Sequence, residues 1–424
     1  MAAPDPGKAA IERLIRSRYD TPPSAIGIAV SGGGDSTVLL LAALDWAEAT
    51  GTAITAATVD HGLRAGSAEE AAQVAALCGR LGIGHSTLTV DTLIDGPALQ
   101  ARARDARYAA LVRWAKAANL PVVLLGHTAD DVAETLVMGL RRGVGIDGLA
   151  AIPEWRDIGP VVFGRPFLDL TRAALREMLD ARGITAIEDP SNDDERFERV
   201  AVRKAMATLD LDPLMLARSA ARLREARLSL ARRTADLAIR VVTEDRGDLI
   251  LAPDAVEDLR TREPEQLRRL ILAALAWIGG APMPRDAEQS RLLAAIGPDM
   301  AAVTLAGCLI RGTAEGICFA RETSACAGPM VLPATGKGVL WDGRWRIAGP
   351  GGEGRTVGAL GDDVTKVPWR NTGLPRRSLM SSPAVRAADG TLIAAPLAGL
   401  AAGYDLRLAR PFSATLRPCG PLGD

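Results

Sequence analysis

The chain has 424 residues, 48% of them hydrophobic, which is too long for one ordinary core and too apolar for disorder; two or three domains are expected. A formal net charge of -1 excludes a globally basic surface for polyanions and leaves room only for a local basic patch. Five scattered cysteines (Cys78, Cys308, Cys318, Cys326 and Cys419) without a C-x-x-C pair read as reduced thiols and argue against a cysteine metal site. In chain order, the first eight residues carry no apolar signal core, and the longest apolar run, Val38 to Leu44, is too short to span a bilayer. A cytoplasmic protein without membrane association is therefore expected. Residues 8–18 have helical apolar spacing, stopped by Pro22-Pro23. Ala25 to Val30 reads as a strand, and Ser36 to about Ala49 as a helix. Thr52–Val59, Ile83–Val90 and Pro121–Gly126 read as further strands. Ser67–Leu81, Leu99–Ala118 and Asp130–Arg141 read as helices, the first capped by Ser67 with Glu70 in a capping box. Strict alternation predicts an α/β fold with a doubly wound, mostly parallel sheet, whose ligands bind at the carboxyl ends of its strands.

After about Ser191 the alternation ends. The expected organisation is a catalytic domain over 1–212, an arginine-rich helical linker over 213–240, a small α+β domain over 241–328 and a β-rich domain over 335–424. Within the third, helices are predicted near 263–278 and 284–296 and strands near 301–320. Ala327–Gly338 reads as a linker, and Asp342-Gly343 as a hairpin turn inside Val339–Ile347.

The first strand runs into Ser31-Gly32-Gly33-Gly34-Asp35-Ser36-Thr37. Strand, glycine turn and helix start together suit a phosphate: glycines let backbone amides curl inward, and the helix adds positive potential. Ser31, Ser36 and Thr37 offer hydroxyls, and Asp35 can hold a magnesium ion that bridges phosphates. No lysine precedes Ser36, so the loop of kinase-type NTPases is excluded. The loop is similar instead to the S-G-G-x-D-S loop of N-type ATP pyrophosphatases (PP-loop proteins), which cleave between the α and β phosphates of ATP.

Three further clusters close strands or face them. Asp60-His61-Gly62-Leu63-Arg64 ends the second strand; His61 there lies beside the loop, or else belongs to an ordinary helix cap. Arg104, Arg107 and Tyr108 share one side of a helix, where a guanidinium could neutralise an attacked phosphate, or simply be solvated. Gly126-His127-Thr128-Ala129-Asp130-Asp131-Val132-Ala133-Glu134-Thr135 follows the fourth strand. Asp131 and Glu134, three apart on a helix, face one way and with His127 could bind an ammonium and take its proton; helix capping is the competing role. His85, in a strand without a polar cluster, reads as structural.

Taken together, the loop, Asp60-His-Gly-Leu-Arg64 with Ser67, Ala103–Tyr108, Gly126–Thr135, Arg142-Gly-Val-Gly, and Glu188-Asp-Pro-Ser-Asn192 with Arg199 and Arg203 resemble the tRNA(Ile)-lysidine synthetase family. They span residues 30 to 205 in the family's order; the C-terminal half resembles its extra domains only loosely. The resemblance implies ATP as a substrate, Mg2+, free L-lysine, and an isoleucine tRNA with a CAU anticodon. It implies adenylation of the wobble cytidine at its C2 oxygen and replacement of AMP by the lysine ε-amine. By the same resemblance, residues 31–37 with His61 hold ATP, Arg107 and His127 contact the adenylated base, Asp131 and Glu134 hold lysine, and Arg203 lies near the tRNA. Val132 departs from the glutamine common in the family, as Leu99-Gln100 departs from its usual helix start.

Arginines provide candidate tRNA contacts: Arg218 and Arg222, one turn apart on the linker helix, and Arg376 and Arg377 in the last domain. Trp345 and Trp369 sit near the latter group and suit either RNA stacking or a β core. A homodimer is a possibility that the sequence leaves open. The alternatives are cytidine 2-thiolation, disfavoured by the lack of paired cysteines for an iron–sulfur cluster, and a non-catalytic nucleotide-binding scaffold, disfavoured by the joint presence of Asp35, Asp131 and Glu134.

Overall fold

The computed structural model describes residues 5–60, 66–90, 99–150, 152–184, 198–280 and 282–416. The chain divides into two compact units, one ending at Arg227 and the other beginning at Leu228.

The first unit opens with α1 (Pro6–Arg16), β1 (Ala25–Ala29), α2 (Gly34–Thr50), β2 (Ala53–Asp60), α3 (Ser67–Arg80), β3 (Gly84–Thr89), α4 (Leu99–Ala117), β4 (Val122–Leu125) and α5 (Ala129–Arg141). It continues with α6 (Ile146–Leu149), β5 (Trp155–Ile158), β6 (Val161–Gly164), α7 (Arg172–Asp180), α8 (Glu198–Thr208) and α9 (Pro213–Val241), which runs on past Arg227. The sheet order is β3-β2-β1-β4-β6-β5. All neighbours pair in parallel except β5, which forms an antiparallel hairpin with β6. The doubly wound sheet inferred from alternation is present, with that edge hairpin added; Trp155–Ile158 and Val161–Gly164 carry no periodic signal of their own.

Both sheet faces are buried, which explains the uninterrupted apolar strand Val122–Leu125. Successive residues point to opposite faces. Ile26, Ile28, Val122 and Leu124 meet Ile11, Leu39, Trp46 and Leu175 on one side. Ala29, Val123 and Leu125 meet Leu111, Trp114 and Phe163 on the other. Gly27 is small for a reason of packing: a Cβ there would lie 2.7 Å from Cη2 of Trp114. At the head of α1, Asp5 caps the helix by accepting from the Lys8 amide at 3.0 Å, with Pro6 behind it. The cap of α3 is Gly66, at φ 111°, so Ser67 is its first helical residue and caps nothing; a side-chain cap is dispensable where a glycine takes the left-handed turn.

In the second unit, β7 (Val242–Asp245), β8 (Asp248–Leu251), β9 (Val303–Leu305), β10 (Cys308–Thr313) and β11 (Gly316–Arg321) form an antiparallel sheet ordered β7-β8-β11-β10-β9. The helices α10 (Pro253–Arg262), α11 (Pro264–Gly279) and α12 (Asp286–Ala295) accompany it, and its core includes Leu249, Leu270, Leu275 and Phe319. Two small sheets follow. One is β12 (Met330–Val331), β15 (Thr356–Ala359), β16 (Pro383–Arg386) and β17 (Leu392–Ala394); the other is β13 (Val339–Trp341), β14 (Trp345–Ala348) and β18 (Asp405–Leu408). The short helix α13 (Arg376–Met380) precedes β16, and α14 (Phe412–Thr415) ends the described chain. The stretch read as a linker thus supplies one two-residue strand. Asp342 and Gly343 turn the hairpin with φ 51° and 65°, the left-handed pair that this turn requires. Trp341 and Trp345 are buried with Ile347 and Val357, so the β core is where Trp345 goes. Among the described residues no helix is long and apolar enough to cross a membrane.

Candidate active site

The strand order reverses between β1 and β4, so the connections leaving their carboxyl ends splay apart there and leave a crevice. One connection is Ser31–Gly33 and the other is Gly126–Thr128. In the first, Gly32 has φ 92° and Gly33 caps α2 in an extended conformation. The loop is braced internally. The Ser31 amide donates to Ser36 Oγ at 3.1 Å, and Ser36 Oγ donates to the Gly33 carbonyl at 2.9 Å. The Thr37 hydroxyl donates to the carbonyls of Gly32 and Gly33 at 3.3 and 3.1 Å, and the residue is buried. These bonds hold the loop open with the first-turn amides of α2 free of intrahelical partners. Gly126 closes the crevice floor: a Cβ on it would be 3.1 Å from the carbonyl carbon and oxygen of Asp35 and from Ser36 Cα.

Across the crevice, α5 begins with a capping box. The Asp131 carboxylate, through Oδ2, accepts from the Thr128 amide at 2.9 Å and its hydroxyl at 3.0 Å, while Thr128 accepts from the Asp131 amide. Capping does not use up the carboxylate, because Asp131 Oδ1 is turned to a cation, Nη2 of Arg172, at 2.8 Å. The same guanidinium gives Nη1 to Glu134 Oε1 at 2.6 Å and Nε to Asp35 Oδ2 at 3.4 Å. Its backbone amide donates to Asp130 Oδ2 at 2.8 Å. Arg203 also donates to Glu134 Oε1, at 2.5 Å, and Arg199 stands 3.9 Å from Asp131. Three carboxylates singled out in the sequence, Asp35, Asp131 and Glu134, therefore converge on one guanidinium. Glu134 is 1% exposed and its second oxygen, Oε2, has no hydrogen-bond partner among the described residues.

Burial pushes the Asp35 carboxyl up to about 6, against the pull of Arg172 and with the help of Asp131. Asp131 is held below the usual carboxylate range: burial opposes this, but the Arg172 guanidinium foremost, with the Thr128 amide, prevails. Burial foremost, then the Arg165 guanidinium, drives His127 far below its ordinary value, so its imidazole is neutral at neutral pH. His127 Nδ1 is buried without a partner among the described residues. Burial likewise lowers Arg107, which acts electrostatically on His127 from α4.

Asp35 fits magnesium as one hard carboxylate ligand completed by substrate phosphates and water. That is how Mg2+ is usually held, and among the described residues no cluster of three acidic, histidine or cysteine side chains offers an all-protein cage. His61 lies outside the described residues, as do Gly62–Arg64 and Glu188–Asn192. His85 accepts or donates to Thr58 Oγ1 at 2.9 Å within the β2–β3 pair, in keeping with a structural role.

Sequence reasoning overlooked Arg172 and Arg165. Arg165 is 1% exposed, donates to the Pro153 carbonyl at 2.7 Å and the Tyr108 hydroxyl at 2.9 Å, and adds its charge to the burial that lowers His127. Its one signal was position, at the carboxyl end of β6. Arg172 opens α7, where the helix dipole disfavours a cation, and that misplacement was the available clue. Arg203, expected near tRNA, donates to Glu134 while its side chain stays 33% exposed. Arg218 and Arg222 are exposed on α9, and Arg376 and Arg377 are exposed on α13.

Residues 7–209 match the family model described as a PP-loop domain (ATP_bind_3). The chain is 42% identical over 403 residues to the tRNA(Ile)-lysidine synthase of Ruegeria pomeroyi, covering 93% of this chain and 94% of that one. It is 40% identical to the enzyme of that name from Novosphingobium aromaticivorans, covering 69% of this chain and 87% of the relative. With the one from Rhizobium meliloti the identity is 33%, over 88% of this chain and 84% of the other.

Proposed function

The chain belongs to the tRNA(Ile)-lysidine synthase family, an ATP-dependent group of PP-loop ligases, and from that premise we propose the chemistry of its site. Free L-lysine is joined to C2 of the wobble cytidine of an isoleucine tRNA with a CAU anticodon, in the cytoplasm. The cytidine C2 oxygen attacks the α phosphorus of ATP; the bond to the β-phosphate oxygen breaks and pyrophosphate leaves. The lysine ε-amine then attacks C2 and the C2–O bond breaks, releasing AMP. A urea-like oxygen is a poor leaving group until it is a phosphate ester, which is why ATP is consumed.

The residues divide this work. Ser31–Ser36 and the N-terminus of α2 cradle the pyrophosphate, with Thr37 bracing the loop. Magnesium on Asp35 would neutralise phosphate charge. Arg107 and the neutral His127 take the base, His127 as a hydrogen-bonding group without charge. Asp131 and Glu134 hold the lysine ammonium, and a lysine must lose a proton before it attacks. Of the two, Glu134 has the oxygen to spare: both oxygens of Asp131 are engaged, whereas Glu134 Oε2 is not. Arg218 and Arg222 on α9, with Arg376 and Arg377, contact tRNA phosphates; the C-terminal segments 241–328 and 335–424 are tRNA-binding domains in this reading.

The observation that carries the proposal is the buried Asp131–Glu134 pair, set across the strand-order reversal from the glycine loop. AMP release with Mg2+ and ATP tests it, adding lysine and a CAU-anticodon isoleucine tRNA transcript singly and together. AMP in quantity only with both is expected; release that ignores lysine and tRNA would sink the substrate assignment.

A further inference from the structure

Arg172 stands where its own helix least favours it. As the first residue of α7 it faces the positive end of the helix dipole, after Thr171, which caps the helix by accepting from the Ala174 amide at 3.2 Å. Three carboxylates from two other helices offset this: Asp35 of α2, and Asp131 and Glu134 of α5. The pair that we read as the lysine ammonium site is thus already occupied by a cation of the chain itself. The occupancy is competitive atom by atom. Asp131 Oδ2 belongs to the Thr128 cap, and Oδ1 is taken by Arg172. Glu134 Oε1 is shared by Arg172 and Arg203, so that only the unpartnered Oε2, on a side chain 1% exposed, is left for an ammonium.

The three contacts are unequal. Those to Glu134 and Asp131 are 2.6 and 2.8 Å, but that to Asp35, on the side of the glycine loop, is 3.4 Å. A triphosphate in the loop would bring several negative charges to that side, and a guanidinium pairs with phosphate in bidentate fashion at least as well as with carboxylate. The Arg172 side chain is 29% exposed and so has room to turn, whereas Glu134 does not.

We propose that Arg172 is a resident competitor for the substrate ammonium, drawn from Asp131 and Glu134 toward the phosphates when ATP binds, so that the lysine site opens only with nucleotide in place. The proposal rests on the reading of Asp131 and Glu134 as the lysine pair and adds an order to it: ATP first, amine second. It makes Arg172 a positioning residue that couples two substrates, and such coupling is reciprocal.

The test is equilibrium dialysis of radiolabelled lysine against the full chain, with and without Mg2+ and α,β-methylene ATP, for the wild type, Arg172→Gln, Arg172→Lys and Glu134→Gln. In the wild type, lysine affinity should rise about tenfold or more with the analogue, within the usual range of such couplings. Arg172→Gln should bind lysine without nucleotide about as tightly as the wild type does with it, and respond to the analogue by less than roughly twofold. Arg172→Lys keeps a resident cation and should keep the coupling. Weaker lysine binding by folded Arg172→Gln without nucleotide, or undiminished coupling in it, overturns the proposal. Should the Gln variant not fold by circular dichroism, the wild type decides alone, because lysine affinity indifferent to the analogue overturns it equally. Lysine binding that is absent throughout, or unaffected by Glu134→Gln, brings down the reading of the pair itself, a result distinct from the loss of coupling.

Discussion

Replacing Glu134 by Gln separates the role of this carboxylate in stability from its role in chemistry. The side chain is 1% exposed, and its Oε1 accepts from Arg172 at 2.6 Å and Arg203 at 2.5 Å. A hydrogen bond to a charged group contributes about 1.5–3 kcal/mol, roughly twice a neutral one. A glutamine oxygen still accepts from both arginines, so each bond weakens by about 1 kcal/mol. Solvent reaches Arg172 and Arg203, whose side chains are 29% and 33% exposed, and screens part of that loss. The expected destabilisation is therefore about 1–2 kcal/mol, read as a shift of the urea midpoint at constant slope. Chemistry should suffer far more. Without a carboxylate to hold the amine and receive its proton, lysine incorporation under single-turnover conditions should fall by about 100-fold or more. Pyrophosphate release, which reports the adenylation step, should stay within a few-fold of the wild type. Lysine incorporation within about threefold of the wild type would refute the assignment. So would equal loss of both steps, because the defect would then lie in the fold of the crevice and not in the handling of the amine.

Three further outcomes are expected. Gly126→Ala places a methyl 3.1 Å from backbone atoms of Asp35 and Ser36, which cannot yield without moving the loop; thermal unfolding should show a loss of about 1–3 kcal/mol, with the ATP KM raised and the lysine KM little changed. Asp35, raised to about 6 chiefly by burial, protonates more readily folded than unfolded, so its contribution to stability increases as pH falls from about 6 to about 4. Over the same fall the anionic form that suits magnesium is lost. Calorimetry should show Mg-ATP affinity dropping as pH is lowered through about 6, and a flat profile in Asp35→Asn would assign the drop. Changing Arg218 and Arg222 together to Glu should weaken tRNA binding and lower the slope of log affinity against log salt by about 2 in magnitude, with AMP release at saturating tRNA preserved.

Much of this protein is decided locally, by patterns legible in the amino-acid sequence alone. Apolar runs set β1, β2 and β4, because burial on two faces suits continuous apolar strands such as Val122–Leu125, whereas the edge strand β3 is largely polar and half exposed. The glycine loop between β1 and α2 announces its own conformation, since a residue at φ 92° such as Gly32 has to lack a side chain. The spacing of Asp131 and Glu134 puts both on one helix face whatever surrounds them. Asp342-Gly343 sets its turn in the same local way.

The tertiary structure decided what those groups meet. Arg172 lies 137 residues from Asp35 in the chain, and no local rule pairs them; packing of α7 beside α2 brings them together. Arg165 becomes a buried cation next to His127 only because β6 pairs with β4. The resemblance marked Arg203 as near the tRNA, but only the fold shows it donating to Glu134. Trp345 suited an RNA platform or, rather better, a β core, and its burial with Ile347 and Val357 puts it in the core. Local pattern fixes backbone shape and the facing of side chains, because both follow from dihedral sterics and periodicity. The partner of a charge, and with it the charge's pKa and chemistry, follows from long-range packing that no short window of sequence contains.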